Sequence, residues 1–339
     1  MSGRLMRSEM AEQPNVLAKF ATRLDDHVER VRALLPAPLA GVTFVARGSS
    51  DNAAVYGRYL AELASGRPAA LAAPSLQTLY EAQVDYSGWL VVALSQSGAT
   101  PEIETVTRRL QDAGGRTVAI VNDESSPLAR AAELVIGLGA GDERAVPATK
   151  TVTAELLAVA AIAVALGRVP FDRAALDALP AAVAQVVDDP EPANALAARW
   201  AGARRMFVVA RGPLLAAALE TALKVKETTG VLAEGLSGAD LRHGPIAASG
   251  PEAPLLTIDG GDPSSEDLAE VARIASERGA PVARCGPGDA ELPLPDETPE
   301  ALAAITGTVR GQQLALALSE GLGVDPDAPA GLSKVTATQ

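Results

Sequence analysis

A chain of 339 residues with 48% hydrophobic and 21% charged residues has material for two buried cores, on a prior of roughly 100 to 200 residues per domain. A formal net charge of −13 excludes nucleic-acid partners, which need clustered Lys and Arg, and requires any anionic substrate to be gripped by local dipoles. One cysteine, Cys285, and two histidines, His27 and His243, exclude a disulfide framework and a Cys/His metal cluster, so no metal or cofactor is expected and a reducing, cytoplasmic compartment is.

From Ser8 to Leu35, charged residues interleave with Val16, Leu17, Phe20, Leu24, Val28 and Val31 near the helical period, which predicts one amphipathic helix. Strand-like runs follow at Val42–Ala46, Ala69–Ala73, Leu90–Leu94, Val118–Val121 and Leu134–Ile136, separated mostly by helical patterns, so a doubly wound parallel α/β sheet is expected. The apolar helix near Leu156–Leu166 is too short to span a bilayer. A second series starts at Met206–Ala210 and continues through Leu255–Ile258 and Val282–Arg284, with helices over Leu214–Thr228 and Pro299–Leu322. Thr43-Phe44-Val45-Ala46-Arg47-Gly48 and Phe207-Val208-Val209-Ala210-Arg211-Gly212 share strand, turn and following helix, the trace of an internal duplication. The expected organisation is a helical segment at 1–35, a first lobe at 36–170, a linker at 171–190 punctuated by Pro180 and Pro190, a second lobe at 191–325 and a tail at 326–339.

The strongest chemical signal is the buried run Trp89–Leu94 entering Ser95-Gln96-Ser97-Gly98-Ala99-Thr100-Pro101-Glu102. A hydroxyl-rich turn ahead of a helix start, with Thr100 at the cap and Pro101 in the first turn, is an anion cradle that needs no arginine or lysine. The first strand leaves through a similar turn, Gly48-Ser49-Ser50, and in a parallel sheet both exits lie on the carboxyl edge, where ligands bind. The matching turn of the second half, Gly212-Pro213-Leu214, lacks hydroxyls, so only the first lobe is expected to hold phosphate. Glu220, Lys224 and Glu227 fall along one helix face, a spacing that also describes a solvated ion-pair stripe. Asp240-Leu241-Arg242-His243-Gly244-Pro245 places a histidine in a loop, where functional residues concentrate.

The ordered set Met6–Pro14 (MRSEMAEQP), Gly48-Ser49-Ser50, Ser95–Thr100 (SQSGAT), Val146–Lys150 (VPATK), Ala222–Glu227 (ALKVKE), Leu241–Pro245 (LRHGP) and Leu332-Ser333-Lys334 resembles the isomerase domain of glucosamine-6-phosphate synthase and the stand-alone sugar isomerase (SIS) deaminases over nearly the whole chain. The resemblance implies two flavodoxin-like SIS lobes and assigns Gly48, Ser49, Ser50, Ser95, Gln96, Ser97 and Thr100 to the sugar phosphate. It puts the proton-moving carboxylate on Glu227, the ring-opening histidine on His243, and a companion lysine on Lys224. The tail lysine that holds the open sugar, or forms an imine with it, falls on Lys334. Val146, Ala148 and Ser333 fall among the sugar contacts, with Ala148 where the synthase has serine and Ser333 where it has alanine. A homodimer with the His243 loop donated across the interface is also implied.

Residue 2 is serine, and Cys285 lies deep in the second half, so no glutaminase-type ammonia source is expected in this chain. The expected reaction is therefore deamination and isomerisation of glucosamine 6-phosphate to fructose 6-phosphate and ammonia. A deglycase of fructosamine 6-phosphates, a lyase or dehydratase of N-acetylhexosamine 6-phosphates, and a non-catalytic sugar-phosphate sensor are alternatives on the same fold.

Overall fold

Buried β-branched runs bounded by helices form two separate five-stranded sheets, every strand pair parallel. The structure is a computed structural model and describes residues 2–261, 263–329 and 331–334. Its contacts group the chain into a first lobe, Val16–Glu143 with Lys150–Pro170, and a second lobe, Phe171–Lys334 with Met1–Asn15 and Arg144–Thr149.

The chain opens with α1 (Arg4–Ala21) and α2 (Leu24–Leu34), two helices where the periodicity predicts one. No glycine or proline marks the break. It lies at Thr22 and Arg23, where the Thr22 hydroxyl donates to the Lys19 carbonyl at 2.7 Å and Arg23 reaches the Gly137 carbonyl at 2.9 Å. Across the break Phe20 packs on buried His27, ring centroids 5.1 Å apart. Burial, with Arg23 and Arg30 nearby, lowers the His27 pKa, as suits a core imidazole.

The first lobe continues through β1 (Gly41–Val45), α3 (Ser49–Ser65), β2 (Ala69–Leu71), α4 (Pro74–Thr78), β3 (Trp89–Ser95), α5 (Pro101–Asp112), β4 (Arg116–Val121), α6 (Pro127–Ala131), β5 (Leu134–Gly137) and α7 (Lys150–Leu166). Its sheet order is β2-β1-β3-β4-β5, with Val42 beside Leu90 and Val91 beside Thr117. The order reverses between β1 and β3, which makes their two exits the switch point where doubly wound folds bind ligands. The second lobe follows with α8 (Arg173–Asp188), α9 (Glu191–Arg199), β6 (Arg205–Ala210), α10 (Leu215–Thr229), β7 (Leu232–Ser237), α11 (Gly238–Arg242), β8 (Leu255–Ile258), α12 (Ser265–Glu277), β9 (Val282–Gly286), β10 (Leu292–Pro293) and α13 (Glu300–Gly321). Its order, β10-β9-β8-β6-β7, is the first lobe's order read from the other edge, as a duplication requires.

The stretch expected as a linker folds largely as α8, with Pro180 inside the helix. β7 and β10 carry no strand signal in the sequence: both are edge strands, β7 contains Glu234 and Gly235, and β10 has two residues. No helix among the described residues is long and apolar enough to cross a membrane.

Within the second lobe α13 is buried from Ala301 to Ser319 and packs closely on α10. The approach depends on Gly311, where an added Cβ would stand 1.9 Å from Oγ1 of Thr221, while at Gly307 the nearest neighbour would be the Ile258 methyl at 3.2 Å. Gly311→Ala should therefore destabilise the protein by about 1–3 kcal/mol, and Gly307→Ala by less. Urea unfolding checks this, and equal midpoints for Gly311→Ala and the parent would contradict the close contact.

Candidate active site

In the first lobe, β3 carries buried residues directly into the hydroxyl turn. The turn needs a left-handed residue at Gly98 (φ +59°), and an added Cβ there would stand 2.0 Å from the Ser126 hydroxyl oxygen, so glycine is required by space as well as by backbone. The Gly98 N–H donates to the Ser95 carbonyl at 3.1 Å and to its hydroxyl oxygen at 3.2 Å, and the Ala99 N–H donates to the Ser97 hydroxyl at 3.2 Å. The Gln96 carbonyl accepts from Asn122, and the Gly98 carbonyl from Leu128. Two amides expected to face an anion are thus used to shape the turn. Thr100 is the N-cap residue of α5, but its side chain makes no capping bond, so the first-turn amides and the helix dipole remain directed at the turn.

The exit of β1 lies at the same switch point. Gly48 takes φ +61°, ψ −133°, a conformation reserved for glycine, and Ser49 and Ser50 begin α3. The Ser50 hydroxyl is buried and donates to Glu155 of α7 at 2.9 Å. Arg47, immediately before Gly48, makes a two-pronged ion pair with Glu102 in the first turn of α5: Nε to Oε2 at 2.9 Å and Nη2 to Oε1 at 3.0 Å. A buried carboxylate beside an anion site would repel phosphate; the guanidinium cancels that charge and ties the two exits together. Asp51, also near Arg47, has its carboxyl raised by burial, which the arginine opposes. In the second lobe, by contrast, the β8 exit is filled by its own carboxylate: Asp259 accepts from the Gly261 N–H at 2.9 Å and the Ser265 hydroxyl at 2.7 Å.

The second lobe supplies the ionisable cluster. On α10, Glu220, Lys224 and Glu227 are no solvated stripe, since their side chains are 2%, 1% and 23% exposed. The Lys224 ammonium pairs with Glu227 and lies 3.4 Å from Glu220. Burial alone would lower its pKa, but the two carboxylates outweigh burial and raise it, keeping the ammonium charged. For Glu227 burial wins: aided by the charge of Glu220, it raises the carboxyl against the opposing charges of Lys224 and Lys334. A carboxylate kept basic by burial, with two ammonium groups acting on it, suits transfer of a carbon-bound proton.

His243 follows α11 on the exposed surface, its N–H bonded to the Asp240 carbonyl at 3.1 Å. Ser333 is exposed and Lys334 half-buried in the tail. Val146 and Ala148 lie half-buried in the loop ahead of α7, whose Arg144 and Ala145 amides donate to the buried Glu9 carboxylate of α1, and whose Thr149 carbonyl accepts from Gln312 at 3.3 Å.

Residues 41–165 and 201–285, more than half of the chain, match the model of the SIS domain, one segment in each lobe. The chain belongs to the SIS domain family. Over 97% of its length it is 31% identical to the isomerizing glutamine–fructose-6-phosphate aminotransferase of Thermus thermophilus, of which it spans only 58%. A candidate phosphosugar isomerase from Silicibacter pomeroyi is 33% identical, with a TM-score of 0.83 over 96% of this chain and 100% of that one. The glucosamine-6-phosphate deaminase of Thermotoga maritima shares the fold, with a TM-score of 0.81 at 21% identity over 98% of this chain and 99% of that one.

In this SIS chain, Arg47, Glu102 and Glu9 escape a reading by motif because each works through a partner distant in sequence. The local hints are Arg47, which stands in the duplicated Ala-Arg-Gly turn, and Glu9, which stands in the Met6–Pro14 run. Arg47→Ala should raise KM for a hexose 6-phosphate about three- to tenfold, on the scale of tenfold per 1.4 kcal/mol, with kcat nearly unchanged. Arg47→Lys should recover only part, because lysine cannot make the two-pronged contact. Steady-state kinetics of the three proteins check this, and an unchanged KM in Arg47→Ala would remove the arginine from the phosphate turn.

Proposed function

We propose that this SIS-family chain is a phosphosugar aldose–ketose isomerase that deaminates a hexosamine 6-phosphate, glucosamine 6-phosphate first among them, to fructose 6-phosphate and ammonia. The observation that carries the reading is the Glu220–Lys224–Glu227 cluster, which keeps one carboxylate basic and its ammonium neighbour charged. Membership of the SIS family and the likeness to phosphosugar isomerases support the broader class. Cys285 is buried in β9 with its thiol pushed up to about 12 by burial, so it is no nucleophile in this reaction.

In the proposed sequence, the turn Ser95–Thr100, with Gln96, Ser97, Gly48, Ser49 and Ser50, holds the phosphate of the sugar. His243 moves the proton that opens the ring, and its exposure fits a loop that acts in a second copy of the chain, so we propose a homodimer. Glu227 takes the proton from C2 as O1 of the aldehyde gains one, giving an enolamine. It then returns a proton to C1 as the amine loses one, and the resulting ketimine at C2 is hydrolysed by water to the ketone and ammonia. One carboxylate serves both proton transfers, and no electrons leave the substrate. Lys224 stabilises the ionised Glu227, and Lys334 with Ser333, Val146 and Ala148 contacts the open chain.

Purified protein given glucosamine 6-phosphate should release ammonia and fructose 6-phosphate in equal amounts. Glu227→Gln should lower kcat by about 10²–10⁴, the usual worth of a positioned base. Binding of the sugar phosphate without any ammonia would overturn the deaminase reading. Because burial raises the Glu227 carboxyl, the ionised base forms only above the usual carboxylate range, so kcat/KM should climb with pH through an apparent pKa above that range. A rising limb at or below the ordinary glutamate value would show that Glu227 is not the titrating base.

A further inference from the structure

Helix α1 has no acidic residue of its own in its first turn, yet its opening amides are capped, by carboxylates more than 320 residues away in sequence. Asp327 accepts the Leu5 N–H through Oδ2 and the Met6 N–H through Oδ1, both at 2.8 Å. Asp325 accepts the Gly3 N–H at 3.0 Å and the Ser2 hydroxyl at 3.2 Å, and Ser2 also donates to the Val324 carbonyl at 3.0 Å. The Asp327 N–H folds back on Asp325 at 3.1 Å, and Arg7 pairs with Glu320. Hydrogen bonds from the Gly3 and Asp327 amides hold the Asp325 carboxyl below the usual range, so the grip is anionic at neutral pH. Space is as restricted as polarity: a Cβ at Gly3 would stand 2.7 Å from Leu316 and 3.0 Å from Pro326.

The same helix holds a second segment. Glu9, one turn beyond Leu5, accepts the Arg144 and Ala145 amides of the loop that carries Val146 and Ala148. The four residues from Leu5 to Glu9 give a rise of about 6 Å on a rigid rod. Beyond the grip no helix or strand forms among the described residues: Gly331, Leu332 and Ser333 are exposed, and Lys334 lies seven residues after Asp327.

We propose that Asp327, assisted by Asp325, is a positioning residue that fixes the tail on the first turn of α1, so that α1 acts as a spacer between the Lys334 tail and the Val146–Ala148 loop. The inference rests on the reading of Lys334 as a substrate-contacting lysine. Losing the grip leaves the lysine intact but spreads it over many positions, and a displacement of about 1 Å can cost on the order of 10² in rate.

The test compares Asp327→Ala, Asp327→Asn, Lys334→Ala and the double variant Asp327→Ala/Lys334→Ala in the full chain. Asp327→Ala should lower kcat for glucosamine 6-phosphate tenfold or more, with KM changing less. It should also move the rising limb of the pH profile upward, as Lys334→Ala does, because Lys334 opposes the raised pKa of Glu227. Asp327→Asn, which keeps one acceptor oxygen, should fall between and carries the test if the alanine variant does not fold. The double variant should be no slower than Lys334→Ala alone, since Asp327 acts through that lysine. Independently of turnover, acetylation of Lys334 by an amine reagent, followed by mass spectrometry, should speed up several-fold in Asp327→Ala. Full activity in Lys334→Ala would sink the reading of the tail lysine. A slow Lys334→Ala beside an unaffected Asp327→Ala, an additive double variant, or unchanged labelling would sink the positioning role alone.

Discussion

Helix α10 of the second lobe is organised around a buried positive charge, that of Lys224. An ammonium as enclosed as that of Lys224 carries an effective desolvation penalty of several kcal/mol, which only close carboxylates offset. Glu220 lies one turn before it and Glu227 one turn after, so the helix itself supplies both partners and α10 cannot unwind without exposing an unpaired charge. Two carboxylates around one cation leave the trio with an excess negative charge. Burial, aided by the charge of Glu220, keeps Glu227 basic against the opposing charges of Lys224 and Lys334. The packing of α13 on α10 is close at Gly311, which faces Thr221, the residue after Glu220. Structural demand and the basic carboxylate therefore coincide on one helix face.

The first lobe presents hydrogen-bonding dipoles at its switch point, in a protein of net charge −13. They are hydroxyls that shape the turn at Gly98 and an uncapped start to α5, beside a guanidinium whose charge is already shared with Glu102. Such fixed dipoles need little reorganisation when an anion arrives, and they raise no strong positive field that would draw nucleic acid or metal-chelating anions. The cost appears elsewhere, in a glycine at Gly98 that admits no side chain and in a buried carboxylate, Glu102, that depends on Arg47.

Most of the sheet framework was legible in the sequence because a parallel strand buried on both faces reads as an unbroken apolar run. Val91, Val92 and Ala93, or Leu255 and Leu256, admit no other reading between helical segments. Edge strands escape that logic, and β7 was hidden by Glu234 and Gly235. The break between α1 and α2 was hidden because long-range bonds from Arg23 to Gly137 and from Arg30 to Val135 decide it, with no breaker residue. The hydroxyl turn and the α10 triplet were legible because their chemistry is local: a turn of six residues or a spacing of three and four. Arg47 with Glu102, Glu9 with Arg144, and Asp327 with Leu5 were not, since each pair joins residues separated by 55 to 322 positions and neither partner is unusual in its own segment.

The duplication explains why those distant pairs matter. Two copies of one sheet order begin with the same two switch-point exits, and each exit favours an anion. In the first lobe the exits carry Gly48 and the serine turn; in the second, Asp259 sits in the corresponding turn and satisfies Gly261 and Ser265 itself. A carboxylate built into the turn takes the bonds a phosphate would take and repels one electrostatically. In the second lobe the helix after β6 carries the charged cluster instead. Once the copies diverge in this way, the two lobes carry different chemistry: a hydroxyl turn in the first and a buried charged cluster in the second. The segments outside the sheets, the start of α1, the loop at 144–149 and the tail after α13, become the parts that must be held in register. In the second lobe three acidic residues, Glu9, Asp325 and Asp327, bind backbone amides of those segments.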